Sequence, residues 1–126
     1  MIHNKKLNLI QLIMSDREIT EGNRLIAHFM MDAKCLPVGV HNVEDLKYNT
    51  SWNELMPVVT KIKKLKYPVY MYQSHIQNSV EIFKLREDGK DSKIVRESST
   101  TKEPIRLLWE AVVGFMEYYN RQNNEK

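Results

Sequence analysis

The sequence has little of several things that would point to a particular class of protein. It contains a single cysteine, Cys35, so it can form neither an intrachain disulfide nor a cysteine-based zinc site. Four glycines and four prolines in 126 residues exclude a low-complexity or linker composition. The net charge of +3 at pH 7 is far below the basic excess of a dedicated nucleic-acid-binding protein. A lone cysteine suits a reducing compartment, and we therefore expect a cytoplasmic protein.

Long hydrophobic runs are also missing. No stretch approaches the ~20 apolar residues of a membrane-spanning helix, so we expect no membrane partner. The start of the chain places lysines before an apolar run, as a signal peptide does. However, Asn8 and Gln11 interrupt that run, and "SDREI" stands where small cleavage-site residues belong. With 42% apolar and 28% charged residues, the composition predicts a single globular domain over residues 1–126.

Three segments have the apolar spacing of amphipathic helices. The first of them has two possible capping residues, Ser15 and Thr20. Residues 5–14 are apolar at both helical and strand spacing, so periodicity leaves their structure open. We accordingly treat residues 1–17 as an N-terminal arm or extra element and residues 18–121 as the core. Each helical segment follows a capping box, and the three boxes are Ser15 with Glu18, Ser51 with Glu54, and Thr100 with Glu103.

The second helical segment contains Pro57, which projects roughly opposite the centre of the apolar arc. The hydrogen bond that this proline removes would lie on the water side, where the free carbonyl can bond to solvent. The segment therefore predicts a helix that bends around a core. Tyr67 precedes Pro68, which favours extended geometry and ends the helix.

Three strand candidates follow, "PVYMYQS", "SVEIFKL" and "SKIVRES". The pair Asp88 and Gly89 predicts a hairpin turn between the second and third, and "QSHIQN" a looser turn between the first two. The order is helix, loop at residues 35–49, helix, three antiparallel strands, helix. It predicts an α+β fold in which helices cover a small antiparallel sheet of three or four strands, as an αβα-type sandwich.

The helical stripes predict the residues of the core. The stripe of the last helix is broad enough to cover either a wide sheet or a second subunit, so both a monomer and a homodimer remain open. The predicted core residues are Trp52, Leu55, Val59, Ile62, Trp109, Val112, Phe115 and Tyr119.

Four lysines near the end of the second helix, Lys61, Lys63, Lys64 and Lys66, are candidate contacts for a polyanion. With the tyrosines that follow, they have the composition of a single-strand nucleic-acid patch. On a helical wheel, however, only Lys61 and Lys64 share the polar side. Lysines in a last helical turn are also favoured by the helix dipole without any ligand. A solvated, dipole-stabilising face is therefore the favoured interpretation.

No motif in the sequence identifies a catalytic, cofactor-binding or metal site. We accordingly predict no catalytic residue, no metal ligand and no cofactor. Some reactive side chains remain, but none has the neighbours that a known constellation needs. They are the pair His28 and Asp32, the loop group His41, Glu44 and Asp45, and the thiol of Cys35.

Three stretches, "NRLIAHFM", "YNTSWNELMPVVTKIKKL" and "LLWEAVVGFMEYYN", resemble a family of small hypothetical proteins of bacteriophages, prophages and related Bacteroidetes genomes, described as a phage αβα-sandwich domain. The resemblance covers most of residues 23–120. It implies the fold and a mobile-element setting, and it carries no activity or catalytic residue. The chain departs from the family pattern in its additional N-terminal residues and in a shorter loop at residues 35–47.

The leading hypothesis for function is a phage-related accessory protein that binds another protein or itself without catalysis. The alternative is a nucleic-acid-binding protein that uses the four lysines together with Lys5, Lys6 and Lys102. A third hypothesis, an enzyme, would depend on the loop group at residues 41–45.

Overall fold

A computed structural model describes the backbone of residues 2–31 and 46–124 and the side chains of residues 16–30 and 46–123. The described residues form an α+β fold with a three-stranded antiparallel sheet, which confirms the predicted fold class. In chain order the elements are α1 (Ile2–Met31), α2 (Trp52–Lys64), β1 (Val69–Gln73), β2 (Asn78–Lys84), β3 (Ser92–Ser99) and α3 (Pro104–Asn124).

The sheet has the strand order β1–β2–β3. Val69 on β1 lies opposite Ile82 on β2, which in turn lies opposite Val95 on β3, and all three side chains are buried. Because side chains alternate across a strand, this row marks the face of the sheet that meets the helices. The predicted hairpin turn joins β2 to β3, with Gly89 at a φ of 79°, a conformation that glycine adopts without strain.

Helix α3 lies at the centre of the fold. It packs on β2 and β3, where Gly114 lies against the Val95 side chain, and it also packs against α1 and α2. At the contact with α1, a Cβ on Gly22 would stand 2.5 Å from Cζ2 of Trp109, so only glycine permits this approach. The last helix is buried over most of its circumference, which accounts for the breadth of its apolar stripe.

Most of the predicted core residues lie in the interior, but Trp52 does not. Trp52 is 42% exposed, and its assignment to the core was wrong. It is the first residue of α2, and it lies on the flank of the arc that the helix buries. Tyr119 is half-buried and packs against the core. The predicted residues that are buried are Leu55, Val59, Ile62, Trp109, Val112 and Phe115.

Helix α1 runs without a break from Ile2 to Met31, so neither Ser15 nor Thr20 is its first cap. Residues 5–14, which periodicity left open, are helical and continuous with the helix that follows. No glycine or proline interrupts residues 2–21, and a capping residue begins a helix only where the preceding chain is not already helical. No break in α1 therefore separates residues 2–17 from the residues that follow.

Helix α2 begins at the predicted place without forming the predicted capping box. Ser51 is the N-cap in extended geometry, but its side chain makes no capping hydrogen bond. Instead, Oε2 of Glu54 accepts a hydrogen bond from the Lys47 N–H at 3.0 Å. Pro57 lies on the exposed side of α2, as predicted.

Helix α2 ends in a Schellman motif. The N–H of Tyr67 donates to the Ile62 carbonyl at 3.3 Å, and the N–H of Lys66 donates to the Lys63 carbonyl at 3.0 Å. The residue in the left-handed position of this motif is Lys66, with a φ of 75°. Glycine is the usual residue there, so a side chain at this position is strained.

Helix α3 begins at Pro104 rather than at the predicted cap, Thr100. Proline fits the first helical position because that N–H has no intrahelical acceptor. The Leu107 N–H donates to the Glu103 carbonyl at 3.1 Å, which places the N-cap at Glu103. The hydroxyl oxygen of Ser99 accepts from the N–H groups of Thr101 and Lys102 and so shapes the turn before the helix.

Candidate functional site

The first of the four candidate lysines is part of the packing between helices. The ammonium group of Lys61 donates to the Phe29 carbonyl in the last turn of α1, and it lies 4.5 Å from the centre of the Phe29 ring. A cation at a helix C-terminus is stabilised by the helix dipole. Lys61 therefore has a structural role in joining α2 to α1.

The other three lysines, Lys63, Lys64 and Lys66, are exposed at the end of α2. They do not form one surface with Lys61, which is directed to α1. Lys102, a further candidate, bonds to both carboxylate oxygens of Glu110 at 3.0 and 2.8 Å. The side chains of residues 5 and 6 lie outside the described residues.

The other candidate side chains fall largely outside the described residues. His28 is exposed on α1, and it borders a shallow cleft between α1, α2 and α3. Within residues 16–30 and 46–123, no three side chains that could bind a metal come together. The candidates that lie beyond the described residues are Asp32, Cys35, His41, Glu44 and Asp45.

A groove of about 500 Å³ between α1, α3 and β3 is lined by five glutamates and by Arg106. Burial raises the pKa of Glu97 above its ordinary value, the negative charge of Glu110 raises it further, and Lys102 partly offsets this. Arg106 donates to Glu110 at 3.1 Å and so neutralises part of the groove. Sequence reasoning missed this groove because its acidic residues come from distant segments, namely Glu18, Glu21, Glu97, Glu110 and Glu117.

Beneath this groove, Asn23 is the buried polar residue that joins three parts of the chain. Asn23 is 2% exposed, and its side-chain amide donates to the Leu46 carbonyl and to Oδ1 of Asn49, both at 3.1 Å. Its Oδ1 accepts a hydrogen bond from Nε1 of Trp109 at 2.8 Å. These bonds give structural roles to Asn23 and Trp109.

The face of the sheet that points away from the helices carries a row of aromatic rings. The rings of Tyr70 and Tyr72 are stacked with centroids 6.5 Å apart, and the Phe83 ring meets Tyr70 edge to face at 5.5 Å. Tyr70 is 46% exposed and Tyr72 is 49% exposed. Lys93 pairs with Glu81 on the same face, so this cation is already engaged.

The outer edge of β1 is the other exposed feature of the sheet. The Phe83 N–H donates to the Pro68 carbonyl, and at the other end the Ser74 N–H donates to the Gln77 carbonyl, both at 3.0 Å. In an antiparallel ladder, backbone groups bond to the partner strand at every second residue. Even-numbered residues of β1 therefore bond to β2. The backbone groups of Val69, Met71 and Gln73 point to the outer edge.

Among the described residues, no strand pairs with this edge, and the side chains of β1 do not block it. Met71 is 40% exposed, so Tyr70, Met71 and Tyr72 form three consecutive exposed apolar residues. The strand, "VYMYQ", contains no charged residue and no proline. The other edge strand, β3, carries Lys93, Arg96 and Glu97. Charges of this kind are what natural proteins place on an edge to prevent pairing with another chain.

No family model matches this chain, and neither a curated protein nor a solved structure matches it. Within the described helices, none combines the length and the apolar character that crossing a membrane requires.

Proposed function

We propose that this protein is a non-enzymatic interaction module that binds an extended protein segment along the outer edge of β1. The observation that carries the proposal is the uncharged edge with outward-pointing backbone groups at Val69, Met71 and Gln73. An added strand gains main-chain hydrogen bonds from such an edge, and the neighbouring side chains supply specificity.

The proposal explains why apolar side chains are exposed on this strand. The rings of Tyr70 and Tyr72 lie side by side on one face of the sheet and Met71 is exposed on the other, and exposed apolar patches mark interaction sites on proteins. Tyrosine is also enriched among the residues that contribute most to interface energy. A bound segment would cover Met71 on one face and the two tyrosine rings on the other.

The cellular setting is part of the proposal. We place the module in the cytoplasm as an accessory protein of phage origin. The lone cysteine supports the compartment. The resemblance of three sequence stretches to the phage family supports the origin.

The test uses the full chain as the target for a displayed library of random peptides, followed by calorimetry with the selected peptides. Met71→Pro removes the outward N–H, and it leaves the bonds to β2 intact because those come from Tyr70 and Tyr72. We expect Met71→Pro to weaken peptide binding at least tenfold, and the matched control Met71→Leu to leave it unchanged. Equal binding by both variants would overturn the proposed site.

The nucleic-acid alternative is tested with the same protein preparation. A single-stranded DNA oligonucleotide is titrated at low and moderate salt, because phosphate contacts give steeply salt-dependent affinity. Lys63→Ala, Lys64→Ala and Lys66→Ala are combined in one variant. The nucleic-acid function replaces the proposal if three results occur together. The oligonucleotide binds the unmodified protein, the triple variant does not bind it, and the peptide library yields no binder. We expect no salt-dependent binding of the oligonucleotide and no effect of the triple variant on peptide affinity.

A further inference from the structure

We infer that β1 pairs with β1 of a second copy of this chain, antiparallel about Met71, so that two three-stranded sheets become one six-stranded sheet. The inference rests on the proposed function, because it names the segment that the edge binds.

The hydrogen-bonding pattern of β1 fits this register. A two-fold axis at Met71 places each Met71 opposite its copy and each Val69 opposite Gln73 of the second copy. These three residues are the ones whose backbone groups point outward. Each of the three residues has a partner across the axis, which makes three residue pairs. If every pair exchanges two hydrogen bonds, the interface has six. An axis at Tyr70 or Tyr72 would still pair outward-pointing residues, but it would leave Gln73 or Val69, respectively, without a partner in β1 of the second copy.

The three central side chains of β1 are symmetric about the same residue. The central triplet of "VYMYQ" is Tyr70, Met71, Tyr72, so each Tyr70 would stand opposite Tyr72 of the second copy. Those two positions are non-hydrogen-bonded pairs across the axis, where side chains come closest. A segment of an unrelated protein needs no such symmetry. A strand that pairs with itself makes this contact twice, as an isologous interface requires.

Charge and geometry also permit the pairing. β1 is uncharged, so two copies of a chain with a net charge of +3 meet at a strand that adds no like-charge repulsion. The axis of such an antiparallel pair stands perpendicular to the sheet. The helices of both copies therefore lie on the same side, and the rows of Tyr70 and Tyr72 become continuous on the other.

The first measurement is the molar mass by light scattering after size-exclusion chromatography, over a wide range of protein concentrations. We expect the mass to rise from one chain to two with concentration, and Met71→Pro to remain a monomer where Met71→Leu dimerises. Far-UV circular dichroism checks that each variant is folded. A single-chain mass at every concentration, or a dimer that Met71→Pro does not disrupt, would overturn the inference.

The second measurement tests the register without proline. In a Cys35→Ser background, Met71→Cys places two thiols in directly opposed positions, where Cα atoms lie about 5.5 Å apart, within disulfide range. Gln73→Cys is the matched control, because Gln73 faces Val69 of the second copy rather than itself. We expect mild oxidation to crosslink Met71→Cys and to leave Gln73→Cys monomeric. The reverse pattern, or crosslinking of neither, contradicts this pairing.

The two proposals fail separately. Selected peptides whose affinity depends on Met71, together with a protein that never dimerises, would retain the edge as a binding site and reject the second copy as its partner. If the protein neither binds peptides in a Met71-dependent way nor dimerises, both proposals are rejected.

Discussion

Replacing Asn23 by alanine tests whether this buried amide holds the interior together. The substitution removes two hydrogen-bond donors and one acceptor. It leaves the indole N–H of Trp109 and the carbonyl of Leu46 without the partners they have in the structure, and both residues are buried. Asn49, the third partner, is half-buried and can bond to water instead.

The expected loss follows from the two groups left in the interior. Each buried polar group without a partner costs about 1–3 kcal/mol, so Asn23→Ala should lower the free energy of unfolding by about 2–6 kcal/mol. Domains of this kind are stable by only about 5–15 kcal/mol. The variant should therefore unfold at a much lower urea concentration, or be largely unfolded in buffer.

The assay is urea unfolding followed by far-UV circular dichroism at fixed pH. A double-mutant cycle with Trp109→Phe isolates the indole contact, because phenylalanine keeps an aromatic ring and removes the N–H. In the Trp109→Phe background, Asn23→Ala should cost about 1–3 kcal/mol less than in the unmodified protein, since the buried donor is no longer there.

Two results would refute this reasoning. A loss of less than about 1 kcal/mol for Asn23→Ala would show that water or a rearranged side chain satisfies both groups. A cycle with no coupling between the two positions would show that the bond at 2.8 Å does not contribute to stability.

Three further predictions concern the folded state. Lys66→Gly should raise the free energy of unfolding by about 0.5–1 kcal/mol in urea titrations. Glycine removes the strain of a residue with left-handed backbone angles. It also increases the entropy of the unfolded chain, but this offsets only part of the gain. Gly22→Ala should lower the thermal midpoint markedly, since its Cβ would stand 2.5 Å from Trp109. Because burial and the charge of Glu110 raise the pKa of Glu97, the folded protein holds that proton more tightly than the unfolded chain does. Its contribution to stability is therefore present at low pH and is lost as pH rises from the ordinary carboxyl pKa through the raised one. Glu97→Gln should remove that step from a plot of stability against pH.

Each of these predictions has a matched control in the chain. Lys63→Gly, inside α2, should destabilise where Lys66→Gly stabilises, because glycine is unfavourable in a helix. Gly114→Ala should be tolerated, since its Cβ would meet Val95 at an ordinary 3.5 Å. Glu87→Gln, which removes a carboxylate from the exposed turn and leaves Glu97 in place, should retain the Glu97 step. Equal effects of a variant and its control would contradict the corresponding explanation.

Local sequence patterns were enough to predict α2, α3 and the strands. The apolar spacing after Ser51 and the Asp88–Gly89 turn depend on neighbours within a few residues, so they can be recognised without the fold. The start of α1 was missed because it, too, was judged from local spacing alone. The Ser15 box has the correct spacing, but nothing before it ends the preceding helix.

The candidate sites required knowledge that the sequence does not contain. Glu18, Glu97 and Glu110 meet only because α1, β3 and α3 are adjacent in the fold. The exposed tyrosines of β1 read as part of a strand, but whether that strand lies at an edge depends on the pairing order of all three. Lys61 belongs to a run of lysines in the sequence, whereas its partner, the Phe29 carbonyl, is distant in the chain.

Asn23 and Lys61 together have a consequence for motion. Asn23 anchors the segment that enters α2 through the Leu46 carbonyl, and Lys61 anchors the end of α2 at the Phe29 carbonyl. The two anchor points on α1 are about 9 Å apart along its axis. Because both ends of α2 are bonded to α1, neither end can move away from α1 while the other bond holds. The amide protons of α2 should therefore exchange with solvent only when the Asn23 and Lys61 hydrogen bonds break together, in one cooperative opening.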